Sequence, residues 1–473
     1  MFLRHDRTTG KGANSSFAKT ARGLLASVLI FALAVPTPAQ AQGIPLIRDT
    51  EIENLMRDYA EPIFRAAGLG NQRIQMRIVR SPVFNAFVLD GQNVFMHSGA
   101  LQTALTPNEI IGVIAHETGH IAGGHLAALR ARIARDRTRA LLMQILGIGL
   151  MIAGGASGGD TGRELGGAGG GVLFGSQDVM MRSLLSERRS QESAADQAGL
   201  AYLNRTRQSG LGMLTTFERF AQQEYVSDTH QDPFVRSHPV ATDRLSQLRR
   251  DVEASPYYDR RDPPELQLRH DLMRAKLSGY LDSPAIVFNR YPPSDTSIPG
   301  QYARAIGNFF RGGHRGMERA LAGMDRLIAA RPDYPHFHET KADFLMRSGR
   351  SREAMPLLRR ALQLAGKEAT LIQVQLAAAI QSAKGKAGLS ESIKLLRRSL
   401  VRDKNPRAYR LLATAYYNQG RGPEADAVTA QAFFLEGNVK QAQMFARRAH
   451  PRLKRGSPEW LNNDDIIKFQ PRT

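Results

Sequence analysis

His116, Glu117 and His120 stand in the pattern HExxH, within the stretch TPNEIIGVIAHETGHIAGGHL over residues 106–126. Two imidazoles four residues apart on a helix are about 40° apart round its axis and one turn apart along it, so both can reach one metal ion. Glu117 then stands beside the ion, where a carboxylate can take the proton of a water that the ion has made acidic. With 12 histidines in the chain, the spacing arises by accident in only roughly one or two such chains per hundred. The chemistry these residues point to is zinc-assisted hydrolysis.

A zinc site with one open position needs three protein ligands. His125, five residues after His120, lies about 140° further round a continuing helix and so faces away, in a polar contact or at the surface rather than on the ion. The longer pattern HExxHxxGxxH fits at Gly123 but would need its last histidine where Leu126 stands. A better third ligand is Glu192, in the second helical pattern SQESAADQAGLAYL over residues 190–203. Asp196, four residues on and on the same face, would accept the second ring N–H of a zinc histidine and fix its tautomer. For Glu192 the alternative is a solvated helical carboxylate.

The helix that carries HExxH is marked by Thr106 as N-cap, Pro107 as first helical residue, Glu109 closing a capping box, and Ile110 and Ile111 opening the apolar run. Ahead of it, residues 44–69 repeat apolar side chains at helical spacing, with Ile52, Leu55, Met56, Tyr59, Ile63 and Phe64 on one face. Residues 73–79, 85–88 and 93–96 read as strands, the last two joined by an Asp90-Gly91 turn, which predicts a small antiparallel sheet. Between the two metal motifs, residues 130–180 run from basic to apolar to glycine-rich. The apolar part is too short to span a bilayer, and a mobile lid or partner-contact element is favoured over a buried helix or membrane insertion.

Residues 251–264 are charged and proline-marked, a domain boundary. Beyond them Gly349-Arg-Ser-Arg-Glu-Ala354 recurs as Gly420-Arg-Gly-Pro-Glu-Ala425, about two periods of roughly 35 residues, the tetratricopeptide spacing. Units are expected at 301–334, 335–368, 369–405 and 406–436. Arg447, Arg448, Arg452, Lys454 and Arg455 near Trp460 read as a solvated basic face, the alternative being a contact for acidic protein or lipid headgroups.

The chain has 473 residues, a net charge of +20 and no cysteine. Its start has the layout of a secretory signal: Arg4, Arg7, Lys11, Lys19 and Arg22, an apolar run over residues 23–36, then Ala39-Gln40-Ala41. Cleavage is expected after Ala41, and an uncleaved anchor is the alternative. The charge does not indicate nucleic acid, because the basic residues are scattered through helix pairs without a recognition module.

HETGH followed by ESAAD resembles the gluzincin peptidases that pair HExxH with a downstream ExxxD, the group that includes HtpX and the CAAX prenyl proteases. The leader, the opening IPLIRDTEIENLMRDYAEPIFRAAGL, the stretch FNAFVLDGQNVFMHSGAL and the helical repeats are similar, more narrowly, to the periplasmic β-barrel assembly-enhancing proteases. The resemblance covers most of the mature chain. It implies an α+β zincin-like peptidase domain over 42–262, mostly helical with the small antiparallel sheet, then an all-α tetratricopeptide-repeat solenoid over 263–455 and a tail over 456–473.

For the site, the resemblance implies one Zn2+ bound by His116, His120 and Glu192 and worked by Glu117. It adds His238 in SHPVATDRL, which occupies the open coordination position at rest or stabilises the oxyanion once displaced. It also implies that Asn85, Ala86 and Phe87 form an edge strand to which an extended peptide adds, the alternative being an ordinary core strand. The expected substrates are stalled or misassembled outer-membrane proteins in the periplasm, and the expected partner is the β-barrel assembly machinery, reached through the repeats. Peripheral membrane contact stays open. The second reading is a chaperone or assembly factor with a latent peptidase.

Overall fold

The computed structural model describes residues 45–471 apart from 73, 90–91, 133, 136–185, 222–233, 235–237, 240–241 and 367–368. The leader, the Asp90-Gly91 turn and most of the 130–180 segment lie outside the described residues. Among those described, no helix is long and apolar enough to cross a membrane. Asp49 caps the first helix, α1 (Thr50–Ala66), its side chain accepting from the Ile52 amide. A short strand, β1 (Leu46–Ile47), precedes it, and β2 (Gln75–Val79), β3 (Ala86–Val88) and β4 (Asn93–His97) follow.

The sheet runs β1-β2-β4-β3 and is mixed, not antiparallel. β3 pairs antiparallel with β4, placing Phe87 opposite Phe95, but β4 then lies parallel to β2, with Gln75 opposite Asn93 and Val79 opposite His97. Alternation of apolar residues marks strands without saying which become neighbours, and here β4 inserts between β2 and β3. β3 therefore forms one edge, and β1 pairs antiparallel with β2 at the other.

Helices α2 (Ser98–Thr103) and α3 (Pro107–Ala122) follow β4. Thr106 caps α3 by accepting from the Glu109 amide, while Glu109 accepts from Leu105 and Arg219. Ile110, Ile111, Val113 and Ile114 of α3 are buried against α1, the sheet and α6 (Leu211–Ala221). Each such side chain stabilises by about 1.5–3 kcal/mol, enough to hold in place a helix that also buries His116 and Glu117. Helical structure resumes over 125–132 as α4 and appears again over 186–205 as α5. α7 (Thr242–Glu253) and α8 (Pro264–Leu281) lead into the repeats.

Met273 and Leu277 of α8 complete the core around α1 and α3, whereas Leu272 and Ala275 on the same helix belong to the first repeat core. From Ile298 onward the chain is a series of helix pairs: Ile298–Arg311 with Gly313–Ala330, Pro335–Arg347 with Ser351–Ala365, Thr370–Lys384 with Leu389–Arg402, and Pro406–Asn418 with Gly422–Leu435. The recurring glycines have a backbone reason. Gly349 (φ 77) and Gly420 (φ 75) take the left-handed conformation that ends the first helix of a pair, and the next amides, Arg350 and Arg421, bond back to Leu345 and Tyr416.

The start of α1 is tied to these repeats by buried polar contacts. Lys276 Nζ lies 2.7 Å from Asp49 and 3.1 Å from Glu51. Tyr334 donates to Glu51 Oε1 at 2.6 Å and Tyr302 to Oε2 at 3.2 Å. Thr50 donates to Glu339 Oε1, and His336 Nδ1 stands 2.9 Å from Glu339 Oε2. Burial opposes the charge on Lys276, but the carboxylates of Asp49, Glu51 and Glu339 outweigh it and hold the amine well above its ordinary value.

Candidate metal centre

Small residues bring α3 and α5 together. A Cβ on Gly119 would stand 2.7 Å from the Ala195 carbonyl oxygen, and one on Gly199 would stand 3.1 Å from the Ala115 carbonyl carbon. Backbones this close leave no room for side chains at the crossing. Glu192 and Asp196 lie about one turn apart on α5 beside Ala195, and both reach the histidines of α3.

His116 Nε2 is 3.1 Å from His120 Nε2, 3.2 Å from His238 Nδ1 and 3.4 Å from Glu192 Oε2. Glu192 Oε2 is 3.2 Å from His238 Nδ1, and Glu192 Oε1 is 3.5 Å from His120 Nε2. His116, Glu117, Glu192, Asp196 and His238 are all buried. Asp196 Oδ1 accepts from His116 Nδ1 at 2.9 Å, which fixes the tautomer and leaves the Nε2 lone pair facing the cluster. Among the described residues, Glu117 Oε1 is buried without a hydrogen-bond partner, with His238 Nε2 3.3 Å away as an ion-pair neighbour.

These positions fit a metal ion. One ligand atom each from His116, His120, Glu192 and His238 lies within 4.8 Å of the others. Four atoms about 2.0–2.2 Å from a tetrahedral ion would stand roughly 3.3–3.6 Å apart, close to the separations seen. The electrostatics agree. Burial lowers the His116 imidazole, but the hydrogen bonds to Asp196 and Glu192 outweigh it and raise it to about 9, while burial and the neighbouring His116 push His120 down to about 2. The two histidines are driven apart because this cluster of acceptors wants positive charge and only part of it can be met by protons.

The carboxylates divide in the same way. Burial raises Glu117, whereas for Glu192 and Asp196 burial is outweighed: by His238 and His116 at Glu192, and by Arg244 and His116 at Asp196, holding both low. Glu117 is thus the carboxylate whose environment favours taking a proton.

His116, Glu117, His120, Glu192, Asp196 and His238 all meet here. His125 does not face away: α3 ends at Ala122, the chain turns through Gly123 and Gly124 (φ 64), and His125 Nδ1 comes within 2.9 Å of His120 Nδ1. It touches a candidate ligand and does not join the cluster. The sequence reading passed over Arg244, on α7, which donates to both oxygens of Asp196. Its only local signal is its place six residues after His238, in a chain with 64 lysines and arginines.

Ala86 and Phe87 lie in β3 at the edge of the sheet, with Asn85 just before it, and β3 packs against α3. Phe87 stacks on Phe95 at 5.0 Å and Ala86 is buried. The His97 amide donates to the Asn85 carbonyl on the β4 side, so the Ala86 amide points outward, where Asn85 Oδ1 accepts from it at 3.0 Å.

A helix-borne HExxH, a carboxylate supplied by a second helix and an unpartnered buried glutamate beside them define a metallopeptidase. Residues 47–252 match the model of peptidase family M48. It is similar to the β-barrel assembly-enhancing protease of Yersinia pestis, 25% identical over 443 residues, which is 89% of this chain and 84% of that one. The same-named protein of Escherichia coli is 22% identical over 449 residues, covering 91% and 86%. The metalloprotease LoiP of Escherichia coli is 27% identical over 197 residues, 41% of this chain and 70% of that one. The chain is a metalloendopeptidase with a helical repeat region.

Proposed function

We propose that this chain is a zinc-dependent endopeptidase of the periplasm that cleaves misfolded or stalled outer-membrane proteins and supports β-barrel assembly. The observation that carries the reading is the convergence of His116, His120, Glu192 and His238 beside the unpartnered Glu117. His116, His120 and Glu192 would hold the ion, with Asp196 orienting His116. When bound, zinc supplies Lewis acidity that polarises the scissile carbonyl and lowers the pKa of water. Glu117 takes the proton of the attacking water and returns it to the leaving amine. His238 closes the site at rest and, once displaced, is free to donate to the oxyanion. Asn85, Ala86 and Phe87 would receive an extended substrate by main-chain pairing, with Asn85 Oδ1 giving up the Ala86 amide.

The peptidase unit is assigned to 42–262 and the substrate-recruiting repeats to 263–455. The leader's layout and the names of the relatives support the periplasm, outer-membrane protein substrates and the β-barrel assembly machinery as partner. The test is zinc content and casein cleavage of the mature chain beside His238→Ala. Bound zinc with low activity that rises in His238→Ala makes His238 an inhibitory ligand, and activity that disappears makes it a catalytic group. Zinc-free protein in both sinks the peptidase reading. Full cellular function in Glu117→Gln would favour the chaperone alternative.

A further inference from the structure

We infer that Arg244 is the positioning residue that joins the His238 loop to the metal ligands, so that its fork governs whether His238 stays at the metal. This rests on the reading that the cluster holds one metal ion. The guanidinium contacts three separate parts of the site. Its Nη2 donates to Asp196 Oδ1 at 2.8 Å, with Nε bonding Oδ2 of the same carboxylate. Its Nη1 stands 3.2 Å from Glu192 Oε2 and donates to the Pro239 carbonyl at 2.7 Å. Pro239 is the residue next to His238, and Glu192 Oε2 is the atom that His238 Nδ1 faces at 3.2 Å.

The geometry separates Arg244 from a plain counter-ion. Asp196 could be neutralised by any cation, but the planar fork that spans a carboxylate and a carbonyl at once belongs to arginine alone. The side chain is buried, and its guanidinium carbon stands 5.0 Å from the Phe217 ring centroid, which also packs on His116. Arg244 thus has its direction fixed from behind. Its contacts with Asp196, Glu192 and the Pro239 carbonyl let it act through the His238 backbone and the carboxylates.

The experiment uses the full mature chain loaded with Co2+, whose visible absorption reports ligand number, in wild type, Arg244→Lys, His238→Ala and the double variant. The expected result is that Arg244→Lys keeps metal within twofold of wild type but shows the His238→Ala spectrum, and that the double variant shows no further change. A second expected sign is a kcat of casein cleavage that moves in the same direction in Arg244→Lys as in His238→Ala. A wild-type spectrum in Arg244→Lys, where that of His238→Ala differs, overturns the inference. So does a spectral change from Arg244→Lys that persists in the His238→Ala background, since the effect would then run through Glu192 and Asp196 alone. Should Arg244→Lys not fold, Arg244→Gln, which keeps one bond to Asp196, is read in its place, and failure of both to fold also overturns it. Wild type that takes up no metal defeats the metal reading instead, which keeps the two failures apart.

Discussion

Around Lys276 the buried carboxylates of Glu51 and Glu339 and the half-buried Asp49 stand beside two tyrosine hydroxyls, and around His116 the carboxylates of Glu192 and Asp196 are buried beside three imidazoles, yet the two clusters are built to different ends. At the junction every carboxylate oxygen has a partner. Asp49 is met by the Ile52 amide and Lys276, Glu51 by Tyr334, Tyr302 and Lys276, and Glu339 by Thr50 and His336. At the metal centre, ring nitrogens face each other at 3.1–3.2 Å and Glu117 Oε1 has no donor. A buried polar cluster that satisfies itself is structural, and one left with surplus acceptors is arranged for something that comes from outside.

Matched glutamate substitutions probe that difference most strongly. Glu192→Gln should lower metal affinity by more than the roughly 10–100-fold that outer-shell changes cost, and should also destabilise the metal-free chain, since His116, His238 and Arg244 lose a buried carboxylate. Unchanged metal content in that variant would remove Glu192 from the ligand set. Glu51→Gln should leave metal content as it is and lower unfolding stability by about 3–5 kcal/mol, because Lys276 loses a buried partner. Denaturant melts of both chains, with metal assayed separately, read the two effects side by side.

Metal removal sharpens the contrast at the next size down. With free metal at roughly a thousand times its dissociation constant, chelation should lower stability by about 4 kcal/mol in wild type and by the same amount in Glu51→Gln, but not in Glu192→Gln. A drop of equal size in all three would mean that the chelator acts elsewhere.

The smallest effect concerns His270, which lies outside both clusters. It donates from Nε2 to the Ala104 carbonyl and accepts at Nδ1 from Tyr59, and burial lowers it from 6.5 to about 4. The unfolded chain takes up that proton from about pH 6.5 downward and the native chain only near pH 4, so stability is full above pH 6.5 and is lost as pH falls to 4. Between pH 7 and pH 5 the loss should be about 2 kcal/mol. Urea melts at the two values check it, and the same slope in His270→Gln would refute the assignment.

Much of the metal centre was legible because its residues sit at helical spacings: His116, Glu117 and His120 on one helix, Glu192 and Asp196 on another. The existence of the strands and of the helix pairs was legible from apolar periodicity and recurring glycines. The order of the strands was not, since pattern does not name neighbours. His125 makes a polar contact and stays out of the ligand cluster, as its spacing implied, but it faces His120 because Gly123 and Gly124 turn the chain where a continuing helix would carry it away. Arg244 left only its spacing from His238 as a trace, and the junction left none. Glu51, Lys276 and Glu339 are residue types usually solvated, and what buries them is a meeting of segments hundreds of residues apart.

That meeting sets a timetable for the chain's own birth. Glu51 bonds Tyr334 across 283 residues and Thr50 bonds Glu339 across 289. Whichever way the chain emerges, from ribosome or across a membrane, these partners of α1 follow it by that length of chain. Until then Glu51 is without its donors, and Ile52, Leu55 and Tyr59, which back the helix bearing HExxH, lie on an element not yet anchored. Contacts of such long range are also slow to close once the chain is complete. A chain lacking the repeats would therefore lack the donors to Glu51 and the Glu339 carboxylate that tie down the start of α1.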